Sequence, residues 1–118
     1  MSHNIYRGVR IDGIATVTRN GEPFDPKYSL AVRNHSPTGS EWGYQGSGPA
    51  QLALAILLEE TDRETAERYY QRFKREVIAH LERPEHWTLT SLIVQDWLAD
   101  SMRARQPVPA DAVDCSDA

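Results

Sequence analysis

Cysteine is nearly absent from this chain. The single one, Cys115, stands close to the C-terminus, so no disulfide can form within the chain. No CxxC or Cys/His cluster accompanies it, which leaves no spacing for a structural zinc site. Histidine is equally uninformative: His3, His35, His80 and His86 are scattered, and no two stand four apart. No metal and no cofactor is expected. Lysine is scarce, with Lys27 and Lys74 alone among mostly arginine cations, and the net charge is −4. A dedicated nucleic-acid binder normally shows a basic excess, so no direct nucleic-acid contact is expected. Long apolar runs are missing too. The run ending at Leu58 falls far short of the roughly 20 residues that span a bilayer. The opening MSHNIYRG lacks the apolar core of a signal peptide. Together these features point to a reducing cytoplasm. There is no G-x-S-x-G, no P-loop lysine and no organised acid–base pair beyond acidic residues such as Asp25 and Glu41, so no catalytic residue is assigned.

The turns are informative. Asp12-Gly13 separates IYRGVRI from IATVTR. Asp-Gly between extended runs predicts a two-residue type I′ hairpin, which needs positive φ twice. It would pair Ile11 with Ile14 and Val9 with Thr16. Asn20-Gly21 repeats the signal one strand later, pairing Arg19 with Glu22 and Val17 with Phe24. Pro23 cannot donate to a ladder and belongs at an edge. Residues 28–33, YSLAVR, alternate again and read as a further strand.

A glycine-rich loop follows, with turn signals at Ser36-Pro37 and Thr38-Gly39. Ser47 or Gly48 can then cap a helix over 49–60, whose AQLALAILLE is apolar on nearly every side. Such a helix is buried and should be the centre of the fold. Thr61 and Glu64 have capping-box spacing for a second helix, about 62–81. Its apolar stripe is Ala66, Tyr69, Tyr70, Phe73, Val77 and Leu81. A third helix, about 90–103, is capped by Thr88 or Thr90 and repeats Leu89, Ile93 and Trp97. The expectation is an α+β domain over residues 1–103, an N-terminal antiparallel β-meander of three to four strands packed on three α-helices. Residues 104–118, with prolines, aspartates and almost no cation, read as a disordered acidic tail.

Two binding readings compete at the loop. Large aromatics and arginines anchor interfaces. Trp42 and Tyr44, with Glu41 beside them and Arg72 and Arg75 on the second helix, are therefore candidate partner contacts, although Trp42 and Tyr44 would serve equally as core plugs. Alternatively the chain is a small nucleotide- or anion-binding protein using the glycine-rich loop at 43–49. Ser47 and Gly48 at a helix N-terminus would then hold the anion, with Arg33 and His35 adding charge.

The stretch NHSPTG-x-EWGY-x-GSGPAQLALAIL, with YRGVRIDG and NGEPFDPKYSL before it and ERYYQRFKREVIAHL and WTLT after it, resembles a family of small proteins of unknown function. Its members are scattered through phages, plasmids and mobile regions of bacterial and archaeal genomes. The resemblance spans roughly residues 5 to 98. Members often carry a bulky aromatic before EWGY, where this chain has Ser40. No catalytic residue is implied. The setting implies a class: small acidic proteins of this origin are often inhibitors of host defence, anti-CRISPR proteins among them. The expected function is a non-catalytic inhibitor that binds a bacterial defence protein such as a CRISPR–Cas component and blocks it sterically.

Overall fold

The computed structural model describes residues 3–24, 27–34, 41–44, 46–81 and 86–105. Three strands open the chain, β1 (Ile5–Ile11), β2 (Ile14–Arg19) and β3 (Glu22–Pro23). Four helices follow, α1 (Lys27–Val32), α2 (Ser47–Glu60), α3 (Arg63–Glu76) and α4 (Ser91–Arg105). A 3₁₀ turn (Ile78–His80) and a last strand, β4 (Trp87–Thr90), lie between α3 and α4. The sheet is antiparallel with order β3-β2-β1-β4. This is an α+β fold.

Both hairpins form as their turn residues require. Asp12 and Gly13 have φ of 51° and 79°, and Asn20 and Gly21 have 54° and 85°. The register pairs Ile11 with Ile14, Val9 with Thr16 and Arg19 with Glu22. The ladder of β3 stops at Pro23, and the Phe24 amide adds one bond to the Val17 carbonyl at 2.9 Å.

The fourth strand is not where the alternation of residues 28–33 placed it. Residues 27–32 are helical, and the Arg33 amide donates to the Ser29 carbonyl at 2.9 Å. Six residues are too few to separate a period of two from one of 3.6. Tertiary contacts decide: Gln51 of α2 donates from its buried amide to Ser29 Oγ at 2.9 Å and to the Arg33 carbonyl at 3.0 Å. Trp87–Thr90 takes the place beside β1 instead, pairing Tyr6 with Leu89 and Gly8 with Trp87.

Helix α2 is the centre. Every residue from Gly48 to Leu58 is buried. Helix α3 packs its predicted stripe inward through Ala66, Tyr69, Tyr70 and Phe73. Its cap is Asp62, whose carboxylate accepts from the Thr65 amide at 2.7 Å, rather than Thr61, which closes α2. Thr90 does cap α4, its hydroxyl accepting from the Ile93 amide at 3.3 Å. The buried stripe of α4 is Ser91, Val94, Leu98 and Ser101, one step away from the Leu89–Ile93–Trp97 repeat, so Ile93 faces outward. Among the described residues no helix is long and apolar enough to cross a membrane. The tail from residue 106 onward lies outside the described residues.

Candidate binding surfaces

The EWGY segment, residues 41–44, folds back on the sheet. Trp42 is fully buried. Its ring meets Trp87 edge to face at 5.5 Å, and the Arg10 guanidinium lies 4.7 Å from its centre. Glu41 clamps Arg10 with two bonds, at 2.8 and 3.0 Å. Gly43, at φ +86°, turns the chain so that its amide reaches the Ile78 carbonyl at 3.0 Å. EWGY is therefore wedged between β1, the start of α2 and the 3₁₀ turn. Trp42 plugs the core and has no surface to offer, whereas Tyr44 stays 37% exposed. The indole N–H groups of Trp42 and Trp87 are buried without a hydrogen-bond acceptor among the described residues.

The same packing covers the start of α2. A side-chain carbon on Gly46 would lie 2.5 Å from the Tyr44 ring, and one on Gly48 would lie 2.7 Å from Glu41 Cβ. These glycines are accounted for by close approach of the loop. Of the residues proposed for an anion, Arg33 pairs with Glu67 at 3.0 Å. Ser47 and Gly48 form the first turn of α2, and His35 lies outside the described residues. Arg72 pairs with Glu76 at 2.8 Å on the outer side of α3, and Arg75 is exposed nearby. Three i,i+4 pairs of this kind run along α3, which marks a solvated face. Among the described residues no group of three or more metal-ligating side chains converges.

Two features escape a reading of the sequence. The first is the sheet's outer face. Alternation sends Tyr6, Gly8, Val17, Trp87 and Leu89 inward to the helices, where they are buried. It leaves Ile5, Val9, Ile11, Ile14 and Thr16 on the opposite side, with Thr18, Thr88 and Thr90. Ile11 is 56% exposed and Ile14 67%. Arg7 is the one charged group of the strands β1 and β2 on this face.

The second is a polar knot around Glu60. Its Oε2 accepts from Tyr6 Oη at 2.6 Å, Asn4 Nδ2 at 2.9 Å and Ser91 Oγ at 2.9 Å. Gln95 Nε2 donates to the Glu60 carbonyl at 2.7 Å and to Oε1 at 3.3 Å. A carboxylate at a helix C-terminus is opposed by the helix dipole, so these donors must hold it there. The acidic end of an otherwise apolar helix was the available sign. Burial pushes the Glu60 carboxyl up, but the hydrogen bonds from Asn4, Tyr6, Ser91 and Gln95 outweigh it and leave it below the usual carboxylate range. Burial raises the Tyr6 phenol far above its ordinary value, and its bond to Glu60 and that residue's charge add to the shift.

The signs give a prediction. Glu60, lowered in the folded state, contributes stability above the ordinary glutamate value of about 4.3, lost as pH falls through the lower folded value. Tyr6, raised in the folded state, contributes stability below the ordinary tyrosine value of about 10, lost progressively as pH rises beyond it. Urea unfolding across this range should give a plateau with an acid and an alkaline limb. Tyr6→Phe should weaken the plateau by about 1–3 kcal/mol and flatten the alkaline limb. An unchanged alkaline limb would show that Tyr6 does not produce it.

A family model, a family of unknown function (DUF6166), matches residues 6–100. The chain belongs to this family. The match takes in the sheet but for Ile5, all four helices but for the last residues of α4, and the Glu60 knot except Asn4. No curated protein and no solved structure matches the chain.

Proposed function

We propose that this member of the family is a non-catalytic, protein-binding inhibitor, and that its partner is a bacterial defence protein of the CRISPR–Cas kind. The observation that carries the binding reading is the outer sheet face, with Ile11 and Ile14 largely exposed at the tip of the first hairpin. Large aliphatic side chains gain about 1.5–3 kcal/mol each when fully buried, which a docked partner would supply. Contiguous exposed apolar groups mark interaction sites on soluble proteins. A sheet face that is nearly uncharged suits an interface core, where charged residues are depleted. The inhibitory role follows from the resemblance to proteins of phages and mobile elements. Steric block is favoured over nucleic-acid mimicry, because the acidic residues are interleaved with arginines in pairs such as Arg63–Glu67 and Arg72–Glu76 rather than gathered on one face.

The test is co-purification from a bacterial lysate, joined to an immunity assay in cells expressing the protein. Wild type should capture a defence protein stoichiometrically and suppress interference. The double variant Ile11→Lys, Ile14→Glu should keep its stability within about 0.5 kcal/mol for each exposed site and lose capture by at least about tenfold, since each anchor typically contributes above 1 kcal/mol. Retained capture by a folded double variant would move the interface elsewhere. Unchanged immunity with no captured defence protein would end the inhibitor reading.

A further inference from the structure

A cavity of about 800 Å³ opens where the C-terminal end of α2 meets the first turn of α4. Glu59, Glu60, Ser91 and Gln95 line it together with His3, Asn4 and Leu92. We infer that this cavity is a receptor for an ammonium or guanidinium group carried on an alkyl stem.

The geometry supplies both halves of that ligand. Two carboxylates reach the cavity from one helix end, where the helix dipole adds partial negative charge. Glu60 cannot swing away, because Tyr6, Asn4 and Ser91 hold its Oε2. Its Oε1 carries one long bond, 3.3 Å from Gln95, and so keeps accepting capacity. The depressed Glu60 pKa keeps that carboxylate ionised at neutral pH. Glu59 already holds one guanidinium, that of Arg19, from the strand side. The local charge of these three groups is therefore −1, and a ligand cation would neutralise it. Leu92, 63% exposed, also lines the cavity and is suited to covering methylenes while the charged head meets the carboxylates. An anion would face two carboxylates, and a neutral apolar ligand would leave them desolvated and unpaired.

This inference is independent of the sheet-face interface, which lies on other residues. It is tested with the full chain by following backbone amide shifts in NMR titrations. The probes are n-butylammonium, agmatine, Nα-acetyl-arginine amide and, as the neutral control, n-butanol. Saturable shifts at Ser91, Leu92 and Gln95 with the cations, and no response to butanol, are expected. Glu59→Gln should weaken binding about two- to fivefold, as expected for removal of one partly exposed charge. Leu92→Ala should weaken it by at least about threefold through lost alkyl contact. Both positions are partly exposed, so the variants should melt as wild type does. Tighter binding of the capped arginine than of agmatine would identify a protein side chain as the natural ligand, and the reverse a free amine. Non-saturating shifts, equal shifts near Glu64 and Asp100, or variants that titrate as wild type would each overturn the inference.

Discussion

Ile56→Asp is expected to yield no folded protein. Ile56 is fully buried in α2, and so are its neighbours on every side of that helix. No face of α2 is available to turn the new carboxylate toward water. An ionised carboxylate in such surroundings either stays charged without a partner or takes up a proton, and burying even the neutral acid without a hydrogen bond costs roughly 2–7 kcal/mol. Losing the isoleucine packing adds to that, by an amount in the range of about 2–5 kcal/mol for large-to-small core changes. Small domains have only about 5–15 kcal/mol in total. Leu54→Asp, two positions away and equally buried, should behave alike. Circular dichroism and thermal melting provide the check. A cooperative transition near the wild-type temperature in both variants would show that α2 is not the centre of the fold.

Gly8→Ala is the second large effect expected, from the smallest possible change. A methyl group on Gly8 would lie 2.1 Å from Trp87 Nε1 and 2.2 Å from its Cε2. Separations that short do not occur, so the indole or the strand must move. The indole has little freedom, since its ring is held edge-on to Trp42 and β4 is paired to β1 at this very position. Overpacking a tight core costs typically 1–3 kcal/mol, and Gly8→Ala should reach the top of roughly that range. A double-mutant cycle isolates the contact. Trp87→Leu should itself destabilise, yet Gly8→Ala should then add little. Equal costs of Gly8→Ala in both backgrounds would exclude the clash as its cause.

These two residues also show what can be read from the chain alone. The central helix is legible because AQLALAILL has no polar side to turn outward. The hairpins are legible because Asp-Gly and Asn-Gly satisfy a backbone demand within two residues. The orientation of the sheet is not. Ile5, Val9 and Ile11 look like a core face, whereas Tyr6, Gly8 and Arg10 look like a surface. The structure inverts this because Trp87 fills the space above Gly8 and Trp42 lies under Arg10, and both tryptophans arrive from far along the chain. Trp87–Thr90 was hidden by its brevity, and Lys27–Val32 by an alternation that six residues produce equally in a short helix. The Glu60 knot was illegible for the same reason of distance. Its donors, Asn4, Tyr6, Ser91 and Gln95, form no motif, and only Glu60 itself, placed against its own helix dipole, gave a sign.

The pairing of β1 with β4 has a consequence for how the chain assembles. The Ser91 amide donates to the Asn4 carbonyl at 2.9 Å, and Asn4 returns a bond from its own amide to Ser91 Oγ at 2.7 Å, across a separation of 87 residues. During synthesis β1 thus waits for β4, far downstream of it, before its second edge is filled. The two hairpins and the α2–α3 pair can form early from local contacts, but the sheet closes late, through a large loop whose entropy must be met first. Until then β1 carries an open edge and the tryptophan pocket above Gly8 stands half built. The fold is a clasp that fastens only when β4 arrives.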